Sequence, residues 1–386
     1  MHFWRPHLIA IGLAAALGTL GVSAEAGQSG ADPDGLITYQ LTLGARQISV
    51  AHEPALRADD PAFSALLTWL PGAAESAVHL GRLEGHRALN IGTLGPGPDP
   101  VKAPSSGPSH ELWLTRDRDG WALDVRPADT ADKDGEDETE PAAPGRIPLT
   151  HRPRTASADM LTATLVPDGE NSGQLAIRWG TNHWTSDFNF VTLPSSPTPE
   201  RTSNVGPASS LTRDSDTSAR YRGAALATRN ETALVTPDGG HIQILFQKEL
   251  GTDGDDYVAL ESIADGGLVQ LTQAAVIRLR TEVPLQFGDT LVPTDNLAPD
   301  FPGSYGLWLK KVATDWRLVF NNEPDSWGTQ HDPAFDATEI DVLHSESGSK
   351  DDQPLAVYLA PRDDGQVGLV IQWGEHLWTA DFRVGQ

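Results

Sequence analysis

The stretch RWGTNHWTSDF, starting at Arg178, returns as QWGEHLWTADF starting at Gln372. Identity falls at Leu175/Leu369, Ile177/Ile371, Trp179/Trp373, Gly180/Gly374, Trp184/Trp378, Thr185/Thr379, Asp187/Asp381 and Phe188/Phe382. Upstream, SHELWLTRDRDGW lies over SYGLWLKKVATDW, pairing Trp113 with Trp308 and Trp121 with Trp316. Before that, LNIGTLGP at Leu89 matches LQFGDTLVP at Leu285. A match that holds register across so much chain is the mark of a tandem duplication. One architecture must therefore serve both copies.

That architecture reads as β. QLAIRW places Leu175, Ile177 and Trp179 on one face, and VGLVIQW does the same with Val367, Leu369, Ile371 and Trp373. WRLVFN alternates Trp316, Leu318 and Phe320 against Arg317, Val319 and Asn321. Period-two runs punctuated by Gly, Pro and Asp predict antiparallel strands, whereas no long stretch shows capped helical periodicity. The expected fold is all-β, two tandem antiparallel β-sandwich or barrel-like domains. Trp179 and Trp184 flank GTNH, and Trp373 and Trp378 flank GEHL, which predicts a four-residue hairpin loop with a structural Trp at each foot.

The intervening segments set the boundaries. Residues 1–26 read as a signal peptide, with Arg5 before the apolar LIAIGLAAALGTLGV and small residues at V-S-A and A-E-A. That apolar run is shorter than the ~20 residues that span a bilayer, and no later segment approaches that length. The first β domain is placed at 27–193, with an acidic disordered insert at 128–145. A Ser/Thr/Pro-rich linker covers 194–222 and the second β domain 223–386. The net charge of −25 repels nucleic acid and anionic lipid. With no cysteine, the chain has neither disulfides nor thiol chemistry. An exported chain without disulfides is held by its cores alone, and the expected location is the periplasm or the exterior.

Several motifs resemble a bacterial family catalogued as domain of unknown function 2911. In the second copy these are GSYGLWL from Gly303, DWRLVFNNE from Asp315, WGTQHDPAFDATEIDV from Trp327 and the closing LVIQWGEHLWTADF. In the first copy WLPGAAES from Trp69 is similar to the family's W-R-x-G-A-N-E-A, with Trp69, Gly72, Ala73 and Glu75 matching. Leu70 and Ala74 replace its Arg and Asn, the second copy lacks this motif, and the first has the acidic insert where W-G-x-x-x-D belongs. Each copy has thus lost a different polar motif. The resemblance implies a fold and an envelope location, and the family has no assigned activity.

The sequence shows no nucleophile elbow, no H-E-x-x-H or H-x-H pair, no phosphate-binding loop and no EF-hand spacing. No cofactor and no dedicated metal motif is therefore expected. The ligand-binding candidates are Trp327, Gln330, His331, Asp332 and Asp336, where an aromatic platform lies beside ionisable groups. In that loop His331 with Asp336 reads as a metal pair or a base with its orienting carboxylate, and the plain alternative is that Asp332 and Asp336 cap turns. Trp69 and Glu75, with His79, form a weaker set in the first copy. The expected role is a non-catalytic envelope or secreted protein binding an unknown ligand or protein partner. The alternative is an exported hydrolase with a His/carboxylate site in the second domain.

Overall fold

The structure, a computed structural model, describes residues 35–44, 46–54, 56–70, 76–86, 88–92, 109–127, 145–191, 229–248, 250–269, 277–296, 303–323, 331–346, 353–362 and 365–385. The expected signal peptide, the linker at 194–222 and the acidic insert up to residue 144 lie outside the described residues.

The chain is all-β and antiparallel, as its period-two runs require. In the first half, β1 (Ile37–Leu43), β2 (Arg46–His52), β3 (Ser76–Gly85), β5 (Ser109–Asp117), β6 (Gly120–Pro127) and β7 (Gly145–Pro148) pair in that order, with β4 (Leu89–Ile91) set apart from them. In the second half, β10 (Arg229–Val235), β11 (His241–Gln247), β12 (Ile277–Thr281), β15 (Ser304–Val312), β16 (Asp315–Asn321) and β17 (Asp336–Glu346) repeat that order. The second layer of the first half is β4 with β8 (Thr150–Pro167) and β9 (Ser172–Phe190). In the second half it holds β13 (Leu285–Phe287), β14 (Thr290–Val292), β18 (Ala356–Pro361), β19 (Val367–Trp373) and β20 (His376–Val384). β17 pairs with both β16 and β20, so it passes from one layer to the other.

The halves share a sheet. β1 pairs antiparallel with β10, with Thr38 opposite Val235, Gln40 opposite Ala233 and Thr42 opposite Glu231. Antiparallel pairing of two corresponding first strands relates the halves by a local two-fold rotation and removes an exposed strand edge from each. β1 also divides its side chains: Leu41 and Leu43 enter the core of the first half, while Tyr39 is buried in the core of the second. Gln353 adds a bond across the same seam, its amide donating to the Pro167 carbonyl at 3.4 Å.

Two short helices interrupt the β pattern at corresponding places, after β2 and after β11. The first, α1 (Pro61–Leu67), starts on Asp60, whose carboxylate accepts from Ala62 N at 2.7 Å, with Pro61 in its first turn. The second, α2 (Asp255–Glu261), has no side-chain cap but carries Asp255 and Asp256 in its first turn, where the helix dipole favours them. Two turns are too few for a periodicity signal, which is why the sequence showed only strands. Each helix presses an aromatic ring on the repeated ending. Phe63 stacks on Trp179 with ring centres 3.9 Å apart, and Tyr257 meets Trp373 edge-on at 5.4 Å.

The repeated ending is a hairpin in both halves, but a tighter one than the four-residue loop expected. β19 and β20 put Trp373 opposite His376 and Trp378 opposite Ile371, leaving a two-residue turn at Gly374 and Glu375. β9 doubles back in the same manner. Its 19 residues would span about 60 Å if extended, yet Phe190 N lies 2.7 Å from Asn171 O. The turn falls at Gly180. Gly180 and Gly374 have φ of 59° and 57°, a region that penalises a Cβ. The paired tryptophans are therefore not cross-strand partners. All four are core residues, at 0% exposure for Trp179 and Trp184 and 1% for Trp373 and Trp378.

Candidate functional site

The described part of the loop singled out in the sequence, residues 331–336, reaches the far side of the β15–β16 sheet from the main core. There Trp308 and Val319 form a small separate cluster. His331 Nε2 lies 2.7 Å from Asp336 Oδ1, and the Trp308 ring approaches the imidazole edge-on at 5.5 Å. Asn321 donates to Asp336 Oδ1 at 2.9 Å and to the Asp332 carbonyl at 3.0 Å. Asp332 caps the one-turn helix Pro333–Phe335 by accepting from Ala334 N at 2.9 Å. The turn-capping role is thus present for Asp332, and the two bonds from Asn321 tie the loop's end to β16. Trp327 and Gln330 lie outside the described residues.

The first-half set is not assembled among the described residues. Trp69 is half-buried just beyond α1, its amide 3.4 Å from the Leu66 carbonyl. Glu75 lies outside the described residues. His79 stands beside Trp113 at 5.0 Å between ring centres and faces Glu53 at 3.9 Å.

A different polar cluster lies where the second hairpin turns. β17 and β20 pair with His344 opposite Trp378 and Glu346 opposite His376. Alternation then puts His344, His376 and Trp378 on the core-facing side near one another. His344 Nε2 is 3.0 Å from His376 Nδ1, and His376 Nε2 is 2.7 Å from Glu261 Oε1, on the last turn of α2. The two imidazoles and the Trp378 indole stack at 5.2–5.4 Å, and Trp316 closes the box edge-on to Trp378 at 5.3 Å. Lys311 Nζ covers the outer face of Trp316 at 4.7 Å. The Tyr257 hydroxyl accepts from Glu375 N at 3.4 Å.

The electrostatics follow from this geometry. Burial pushes the His344 pKa down, and the neighbouring His376 and Lys311 push it further, while Glu346 opposes them. The Tyr257 hydroxyl pKa is raised, by burial first, with the bond from Glu375 N opposing it and the charges of Glu261 and Glu375 adding to it. Glu261 is half-exposed and His376 is nearly covered, so the chain Glu261–His376–His344 runs from the surface into the aromatic box. A carboxylate on one nitrogen of His376 orients the ring and leaves its other nitrogen aimed at His344. Such a chain can hold a proton, a polar ligand group or a cation.

The first half contains the same box without the chain. His151 and Trp184 are opposite one another on β8 and β9, and Trp121 lies 4.9 Å from Trp184. Arg116 takes the place of Lys311, its guanidinium 5.0 Å over Trp121. His151 meets not a second imidazole but Asn182 Oδ1, at 2.8 Å. Leu67 ends α1 where Glu261 ends α2, and Phe63 replaces Tyr257. Sequence reading missed the second-half cluster because its members come from a helix and two strands spread between residues 261 and 376. One signal was available: within the repeat, the polar pair Glu375-His376 stands over Thr181-Asn182.

A small cleft lies at the seam between the halves, lined among others by Pro167, Asn230, Gln353 and Pro354, and holds none of these imidazoles. Compared with family models, with curated proteins and with solved structures, the chain matches none.

Proposed function

We propose that this is an exported, non-catalytic binding protein of the cell envelope or exterior, and that its second half holds the ligand at the turn of the closing hairpin. One observation carries the reading. Both halves preserve the aromatic box, but only the second carries the polar chain Glu261–His376–His344 out to the surface. In the first half the corresponding positions are Leu67 and Asn182, so the box there is structural and the added polarity of the second is surplus to folding. A buried imidazole such as that of His376 destabilises a core relative to apolar packing of the same shape, and groups kept at that expense are favoured sites for ligands. The signal-like first 26 residues support export. The motifs shared with domain of unknown function 2911 support the same location.

Binding is favoured over hydrolysis because the two boxes share no acid–base pair: where the second half has Glu261 against His376, the first has Leu67 and Asn182. The test is a thermal-shift screen of envelope glycans, peptides and ions against wild type and His344→Gln. A ligand that raises the melting temperature of wild type alone supports the reading. A ligand that stabilises both proteins equally places binding elsewhere, and turnover of a screened ester or glycoside that is lost in His344→Gln favours the hydrolase.

A further inference from the structure

The geometry points to a divalent transition-metal site of the Zn²⁺ type at His344, His376 and Glu346, with Glu261 as the carboxylate that orients His376. This rests on the binding role proposed for the same cluster and names the class of ligand. His344 Nε2, His376 Nδ1 and a Glu346 carboxylate oxygen all lie within 4.8 Å of one another. The two nitrogens are 3.0 Å apart. Two metal–nitrogen bonds of about 2.0–2.1 Å set their nitrogens about 2.9 Å apart at a right angle and about 3.4 Å apart at a tetrahedral one. The spacing falls inside that range, so an ion enters with a shift of a few tenths of an ångström.

The surrounding groups fit as well. His376 Nε2 is held by Glu261 at 2.7 Å, the carboxylate–histidine arrangement that fixes a ligating ring and makes its free nitrogen a better donor. That free nitrogen is the one facing His344. Glu346 lies opposite His376 on the neighbouring strand and is exposed, so its carboxylate can turn to the ion and the remaining position stays open to solvent. Two imidazoles and one carboxylate select Zn²⁺, Cu²⁺ or Ni²⁺ over Mg²⁺ and Ca²⁺, which prefer all-oxygen shells. A second grouping, Glu261, Glu375 and His376, shares only one imidazole and competes for the same ring. Two nitrogen donors bind such ions better than one, so the pair of histidines is the site. The first half provides a control within the same molecule, since Asn182 and Pro153 stand where His376 and Glu346 do.

The test uses the untagged full chain, freed of metal and titrated with Zn²⁺ by calorimetry, with Co²⁺ as an optical probe of coordination. One ion per chain is expected. His376→Ala and His344→Ala should each weaken binding at least 100-fold, and Glu261→Gln by about 10–100-fold through the orienting bond alone. Glu375→Gln and His151→Ala should bind as wild type does. His344→Gln preserves the size of the box, and a native-like circular dichroism spectrum with no Co²⁺ absorption in that variant separates lost ligation from lost folding. No Zn²⁺ binding by folded wild type overturns the inference, as does unchanged affinity in both histidine variants or a larger loss from Glu375→Gln than from His344→Gln. If Zn²⁺ does not bind but an organic ligand still depends on His344, the binding role survives and only the metal is wrong.

Discussion

The two hairpin turns are one device built twice, and they differ in what lies beneath the turn. In the first half Phe63 lies flat on Trp179, Leu67 ends the helix, and His151 donates to a single amide oxygen. In the second half Tyr257 stands edge-on to Trp373, Glu261 reaches His376, and His376 reaches His344. The boxes of indole, imidazole and overlying cation are the same. Duplication therefore separates two roles that a single copy leaves entangled: what both halves retain is the packing that makes the hairpin, and what one half alone retains is available for binding. Within the box, that comparison singles out the chain Glu261–His376–His344, because the matching box of the first half shows the same packing with His151 against Asn182 instead.

The largest effects should come from the shared packing. Trp179→Ala and Trp373→Ala are each expected to destabilise their own half by about 3–5 kcal/mol, measured by urea unfolding. Replacement by Phe should divide them. Trp373→Phe loses the bond from its indole N–H to the Gly251 carbonyl at 3.1 Å, whereas Trp179 has no acceptor for its own among the described residues. Equal losses in the two Phe variants would erase that distinction.

Tyr39→Ala crosses the boundary between the halves. Tyr39 belongs to β1 but is buried in the second core, so its loss, again about 3–5 kcal/mol, should fall on the unfolding of residues 223–386. Separate probes, Trp121 for the first half and Trp316 for the second, would locate it. A loss confined to the first half would mean that β1 does not serve both cores. Cleavage between residues 194 and 222 should for the same reason leave two fragments that co-elute, held by the β1–β10 ladder.

The turn glycines give a smaller contrast. Both have positive φ, so alanine strains either turn. A Cβ at Gly180 meets nothing nearer than Phe63 at 3.5 Å, whereas one at Gly374 runs into the Tyr257 ring and hydroxyl. Gly374→Ala should exceed Gly180→Ala by about 1–3 kcal/mol, the usual cost of overpacking. In the far loop, Asp332→Ala should cost about 0.5–2 kcal/mol through its cap and leave the second-half cluster unaffected.

The last contrast is one of pH slope. His52 is buried against Tyr39, and its burial lowers its pKa despite an opposing hydrogen bond to the Glu53 carbonyl. A histidine held neutral in the fold binds fewer protons than the unfolded chain does, so stability is fully present above the unfolded pKa of about 6.5 and falls as the pH drops below it. Phe246 fills the corresponding place on β11 and does not titrate. His52→Phe should flatten the acid limb of the stability curve, and an unchanged limb would assign it to other groups.

Alternation of apolar and polar residues was enough to identify the strands, because a strand's side chains are sorted by their immediate neighbours in sequence. Leu175, Ile177 and Trp179, and their counterparts from Val367 to Trp373, are buried as their spacing requires. The repeat determined that whatever one half does, the other does in the same order, and it marked all four tryptophans as structural. The helices escaped because a seven-residue segment carries one inward face of only two residues, Phe63 and Leu66 in α1. Even there, Asp60-Pro61 was a readable start signal.

Tertiary structure alone decided the rest. Whether β1 would meet β10 depends on which edges find each other, and strand edges carry the same backbone groups whatever the sequence. The cluster of His344, His376 and Glu261 depends on register: His344 meets His376 because β17 aligns Glu346 with His376, a pairing set by the whole sheet. Glu261 joins them only because α2 packs its Leu260 and Tyr257 against the core beside the hairpin. Local sequence encodes which side of a strand a residue occupies, and long-range packing encodes which residues that side then faces.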